Sequence, residues 1–144
     1  MKNYDPYMHT AEHILNQTMV RMFACERSFS NHLEKKKSKC DYHFERALTE
    51  SEEIELQLRV NEQILKNLEV SERIVSREEA ASMFNLSNLP DASGETVRLV
   101  SVGDYDVCPC IGHHVSNTSE IGAFVIGSTT FEDGVLRIRF KLKR

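Results

Sequence analysis

Two imidazoles, His9 and His13, stand one helical turn apart in the segment HTAEH. A thiol and an imidazole, Cys110 and His114, stand at the same interval in CIGHH. Residues four apart on a helix share a face, with Cβ atoms about 6 Å apart. Two rings so placed can reach one ion at the short Zn–N distance of ~2 Å. The second pair lies in a turn-like stretch with Pro109 and Gly112, where the chain can fold both side chains towards one point. Neither half is specific alone. Joined, they make a set of one cysteine and three histidines, which suits zinc. The choice within the second half stays open: Cys108 and His113 can replace Cys110 and His114, and Cys108 can equally be buried or lie behind the ligands. His43 has Asp41 and Glu45 on its side of an alternating segment. It can orient a ligand or substrate, or be a surface histidine. His32, in a polar stretch, reads as a surface residue, and Cys25 and Cys40 fall on apolar faces where cysteines are commonly buried.

These side chains need elements to hold them. Asp5-Pro6 is a helix start, with a capping carboxylate and a proline where no amide hydrogen is needed. Met8, Ala11, Leu15, Met19, Met22 and Phe23 continue with helical spacing, so the helix is predicted over residues 6–24. Residues 26–38 read as a Lys-rich loop, with room for a short strand before it. From Lys39 to Ala47 the alternation of Cys40, Tyr42 and Phe44 against Asp41, His43 and Glu45 predicts a strand. Thr49 and Glu52 form a capping box that opens the expected longest helix, 50–68, with Ile54, Leu58, Ile64, Leu65 and Leu68 as its apolar positions. A strand over 69–76, a short helix over 77–84, a loop from Asn85 to Gly94 and a strand from Thr96 to Val102 follow. Cys108 to His114 is the ligand turn. A strand from Ile121 to Thr130 and a turn at Glu132-Asp133-Gly134 lead to a last strand. There Leu136, Ile138, Phe140 and Leu142 alternate with Arg137, Arg139, Lys141 and Lys143. One face belongs to the core and the other is basic. The expected fold is a single α+β domain spanning 1–144, a mostly antiparallel sheet with one long and two shorter helices packed on it.

The chain has 144 residues, 40% hydrophobic and 28% charged. That is an ordinary globular balance, large enough for a core without disulfide staples. No apolar run approaches the roughly 20 residues that span a bilayer, and no apolar signal segment opens the sequence. The cytoplasm is the expected compartment, where four cysteines favour metal binding or burial over disulfides. A net charge of −4 argues against broad nucleic-acid binding. It leaves room for two local basic patches: Lys35, Lys36, Lys37 and Lys39, and Arg137, Arg139, Lys141, Lys143 and Arg144.

HTAEHIL followed about a hundred residues later by CIGHHV resembles the second additional domain of alanyl- and threonyl-tRNA synthetases, a family that includes free-standing editing proteins. Further segments match in order: Leu48-Thr49-x-x-Glu52, Val60-Asn61-x-x-Ile64, Glu79-Ala80, Val97-Arg98-Leu99-Val100, and Thr118 to Phe124, similar to a Thr-Gly-x-Ile-Gly-x-Phe motif. The resemblance covers roughly residues 8 to 130. It implies hydrolytic editing of a mischarged tRNA acceptor end, serine being removed from tRNA for alanine or threonine. It also implies a zinc ion on His9, His13, Cys110 and His114. A four-ligand site is formally closed, whereas a catalytic zinc keeps a position open, so five-coordination or one loose ligand is expected. His43, Gly112 and His113 are the expected substrate contacts. Two positions depart from the pattern. Ile111-Gly112-His113 stands where Gly-Gly-Thr is usual, and His43-Phe44 stands where Asp-Phe is usual.

Overall fold

The computed structural model describes residues 5–84 and 95–144; the loop expected from Asn85 to Gly94 lies outside them. Asp5 opens α1 (Pro6–Phe23) as its residue type requires, its carboxylate accepting from the amides of Tyr7 and Met8. The helix stops at Ala24, whose left-handed backbone (φ 55°) returns its amide to Val20. Thr49 and Glu52 form both halves of the capping box that starts α2 (Glu50–Leu65). Asn67, with φ 55°, turns the chain out of that helix earlier than the apolar pattern implies. At 18 residues against 16, α1 is the longest helix, not α2.

The strands are β1 (Ser30–Leu33), β2 (Ser38–His43), β3 (Val70–Ser76), β4 (Thr96–Val102), β5 (Asp106–Pro109), β6 (Ala123–Glu132) and β7 (Val135–Lys143), with α3 (Arg77–Met83) between β3 and β4. Among the described residues every strand pairing is antiparallel, and the fold class is α+β. The strands form two sheets, one ordered β1-β2-β7-β6 and the other β3-β4-β5. Two strands occupy stretches that read as a loop and as the start of a turn. β1 forms inside the Lys-rich segment, and β5 runs into the ligand turn. Both are four residues long, too short to show a period.

The larger core lies under the four-stranded sheet. Cys40, Tyr42, Leu136, Ile138 and Phe140 face Ala11, Ile14, Leu15 and Met19 of α1 and Leu56, Val60 and Ile64 of α2. Full burial of such side chains stabilises by roughly 1.5–3 kcal/mol each. Ile54, Leu58 and Leu65, expected inside, lie on the exposed side of α2. The reason is polar. Asn61 exchanges hydrogen bonds with the backbone of Phe124, at 2.9 and 2.8 Å, and Gln57 accepts from the amide of Ile126 at 2.8 Å. The helix therefore turns its Gln57–Asn61 side, with Val60 and Ile64, towards β6. A smaller core of Ala80, Val97 and Leu99 joins α3 to the second sheet. The ligand turn leaves that second sheet, while the His9–His13 helix belongs to the larger core.

Candidate metal centre

Packing of α1 against β5 and the segment after it brings the two halves of the motif together. The ligand atoms of His9, His13, Cys110 and His114 all lie within 4.8 Å of one another. The Cys110 Sγ is 3.2 Å from His9 Nε2 and 3.4 Å from His114 Nε2. The His9 ring stacks on His114 at 4.0 Å, and His13 meets both rings edge-on. His9 and His13 are buried, although histidine is a residue type that often stays at the surface.

Each ring is held from behind. His9 Nδ1 donates to the carbonyl of His113 at 3.1 Å, which leaves Nε2 as the lone-pair nitrogen facing the cluster. His114 Nδ1 lies 2.9 Å from the Thr10 hydroxyl, which also accepts from the Val115 amide. His13 Nδ1 faces Asp106 Oδ2 at 3.5 Å. Asp106 is itself clamped by Arg27 (2.7 and 3.3 Å) and Gln17 (2.9 Å). A carboxylate or carbonyl behind a ligating histidine fixes its tautomer and raises its basicity. This donor set fits a metal ion: three oriented imidazoles and one sulfur converge on one point. Cys108 lies on the other side of His13, its Sγ 3.8 Å from Nδ1, so the geometry places Cys110 rather than Cys108 among the four. His13, Asp106 and Cys108 form a second close group. Arg27 and Gln17 already fill the Asp106 carboxylate, so that group supports the first rather than competing with it.

The electrostatics agree with this division. Burial alone would raise the Cys110 thiol, but hydrogen bonds with His114, His13 and His9 outweigh it and bring it down to about 3. Burial, with the neighbouring His13 and His9, lowers His114 to about 4, against the pull of Cys110. Burial disfavours charge on His13 too, yet Cys108, Glu12 and the Asp106 hydrogen bond raise it well above the ordinary imidazole value. Burial also works against the Asp106 carboxylate, but the His13 hydrogen bond and the Arg27 guanidinium bring it to about 2. These shifts favour the thiolate of Cys110, the form in which a cysteine binds a metal ion.

The family model described as the threonyl and alanyl tRNA synthetase second additional domain matches residues 97–139, the stretch that carries β4, β5, Cys110 and His114. An alanine–tRNA ligase of Petrotoga mobilis is 32% identical over 132 residues. That of Alkaliphilus metalliredigens is 37% identical over 139 residues, and that of Fervidobacterium nodosum 33% over 132. Each alignment covers 90% of this chain and 15% of the relative's length. The chain belongs to the second additional domain family.

In this second additional domain the expected substrate contacts fall in different places. Gly112 lies against His9: a Cβ added there would stand 2.2 Å from His9 Cε1 and 2.6 Å from Nδ1. Its carbonyl accepts from Arg98 at 2.7 Å, which pins the ligand turn to β4. His113 contributes its carbonyl to His9 while its side chain is exposed. With His114, Arg98, Glu72, Val100 and Ser116, it borders a cavity of about 240 Å³. His43 is not in the cluster. It is exposed at the end of β2 and stacks on Phe29 at 3.9 Å. Ile111 is 44% exposed at the tip of the turn. The residues that sequence reasoning missed are Thr10, Gln17, Arg27, Asp106 and Glu12. Glu12 is a buried carboxylate hydrogen-bonded to Asn16 at 2.8 Å. Thr10 and Glu12 lie between the two histidines on α1 and Gln17 follows one turn after His13; that adjacency is the signal the sequence offers.

Proposed function

We propose that this chain hydrolyses the ester of a mischarged aminoacyl-tRNA, serine on tRNA for alanine or threonine being the substrate class. The observation that carries the reading is the convergence of His9, His13, Cys110 and His114, each histidine oriented by a protein acceptor. The metal we assign is Zn2+, since one cysteine with three histidines combines the soft thiolate and imidazoles that suit it. When bound, zinc would polarise the ester carbonyl or acidify a water. His9, His13, Cys110 and His114 would hold it. Asp106, the His113 carbonyl and Thr10 keep the Nδ1 atoms engaged, so that the rings present Nε2. Gly112 lets the turn lie close over His9, and the cavity beside His113 and His114 takes the aminoacyl group. Its Glu72–Arg98 pair, 2.8 Å apart, offers both signs of charge to an ammonium and a carbonyl. His43, exposed and stacked on Phe29 outside the cluster, is assigned to the nucleotide part. No nucleophilic side chain is required, because water can attack the ester directly.

The test is serine release from alanine and threonine tRNAs charged with serine, with chelator and with zinc restored. Chelator-sensitive release on either substrate is expected; no release on both would sink the reading. A second reading, retention of binding without hydrolysis, is favoured by the exposed Ile111 and His113, which stand at the turn where the resembled pattern has Gly-Gly-Thr. Binding of a nonhydrolysable seryl-adenosine analogue without turnover would support it.

A further inference from the structure

Nine of the 18 lysines and arginines lie in two short stretches, 35–39 and 137–144. The β2–β7 register sets them side by side, Lys39 opposite Arg139 and Asp41 opposite Arg137. Residues 137, 139, 141 and 143 alternate with the buried Leu136, Ile138 and Phe140, so they share the outer face of the four-stranded sheet. Among the described residues the helices pack on the inner face. Arg137 is neutralised by Asp41 at 2.7 Å, and His32 pairs with Glu34 at 2.9 Å. Among these outer-face pairings, Lys39, Arg139, Lys141 and Lys143 have no acidic partner across the register, facing His32, Ser128, Val125 and Ala123 on the neighbouring strands. At one end, His32, Glu34, Lys37, Ser38, Lys39 and Arg139 line a cleft of about 290 Å³. At the other, Arg144 lies over the Tyr7 ring at 3.6 Å, two residues before His9. Strand residues rise about 3.3 Å each, so cations on alternate residues stand about 7 Å apart, close to the spacing of successive phosphates along a nucleic-acid strand.

We propose that this outer face is a track for a phosphodiester backbone, running from the cleft along β7 to the ligand end of α1. The occupant is RNA, entering as a strand whose end reaches the metal cluster. The preference for RNA over another polyanion rests on the function proposed above; the track itself rests on charge and register. The acidic surface of α2, with Glu50, Glu53 and Glu62, confines the RNA to this face despite a net charge of −4. None of the track residues holds the metal.

The experiment measures binding of a fluorescein-labelled RNA minihelix with a single-stranded 3′ end between 50 and 200 mM salt (roughly the range over which phosphate contacts are resolved). The wild type is compared with the triple variant Lys39→Ala, Arg139→Ala, Lys141→Ala. The expected result is at least about tenfold weaker binding and a log–log salt slope reduced by about 2 to 3, with zinc content and melting temperature unchanged. Equal affinity and slope in the variant, or tighter wild-type binding of polyglutamate than of RNA, would overturn the proposal. Hydrolysis of a small seryl-adenosine ester separates the two claims. If the wild type cleaves neither ester yet loses RNA through the triple variant, the function fails and the track stands. If the variant keeps both small-ester and tRNA hydrolysis, the track fails alone.

Discussion

Substituting Gly112 with alanine adds one methyl group where the ring of His9 already is. Its Cβ would stand 2.2 Å from His9 Cε1, whereas ordinary contact begins at 3.4 Å, so turn and ring must separate by about 1.2 Å. The ring cannot yield freely, because Nδ1 is tied to the His113 carbonyl one residue along the same turn and Nε2 faces Cys110. The turn cannot yield freely either, because Arg98 holds the Gly112 carbonyl at 2.7 Å. A metal site tolerates about 0.2 Å in its ligand distances, so a displacement of this size removes one ligand or leaves it badly aimed. Zinc affinity should fall by at least about tenfold, the lower range for disturbed support of a ligand. Overpacking should cost about 1–3 kcal/mol. Zinc retention after dialysis against graded chelator, read by elemental analysis, measures the first; urea unfolding measures the second. Full zinc content at wild-type chelator tolerance would refute the argument that this glycine exists for close approach.

His13→Ala should lower zinc stoichiometry, and full zinc retention in dialysed protein would make the ligand set wrong. Asp106→Asn leaves Arg27 facing a neutral amide and weakens the support of His13; roughly 10–100-fold weaker zinc binding is expected, with lower stability in denaturant titration. Acid should destabilise the metal-free protein through the same residue. Its carboxylate is depressed from 3.8 to about 2, so its contribution is complete above about pH 4 and lost as pH falls towards 2. It amounts to on the order of 2 kcal/mol; Asp106→Asn should flatten that part of the stability–pH curve. Thr118→Val removes a buried hydroxyl that donates to Ile64 and accepts from Leu68, both at 2.9 Å. About 1–3 kcal/mol of stability should go with zinc content unchanged, a control that separates loss of fold from loss of metal.

The parts legible in the sequence are those fixed by neighbours. Asp5-Pro6, the Thr49–Glu52 box and the alternation of β7 depend on a few adjacent residues, and each formed where its chemistry placed it. The pair His9–His13 was readable for the same reason. Less legible were features decided across the chain. The burial of Leu56 and Val60 in place of Ile54 and Leu58 follows from Asn61 meeting Phe124, 63 residues away. The choice of Cys110 over Cys108 follows from which side of His13 each sulfur reaches. The division into two sheets, and the Arg27–Asp106–His13 chain that crosses between them, have no local signature at all.

That division gives the cluster a mechanical meaning. His9 and His13 are anchored in the larger core, while Cys110 and His114 hang from the sheet that α3 packs on. An ion held by all four would be a clasp between the two sheets, added to the contacts that Val70 and Val102 already make with the larger core, and closing it would constrain a span of about a hundred residues in the unfolded chain. Without the clasp the second sheet would keep its packing through Val70 and Val102 but lose its tie through the ligand turn, so it should open more readily than the helices and the four-stranded sheet. Amide exchange in β4 and β5 should then quicken well before that in β7. The metal would thus act as a thermodynamic coupler that strengthens the join between the two sheets.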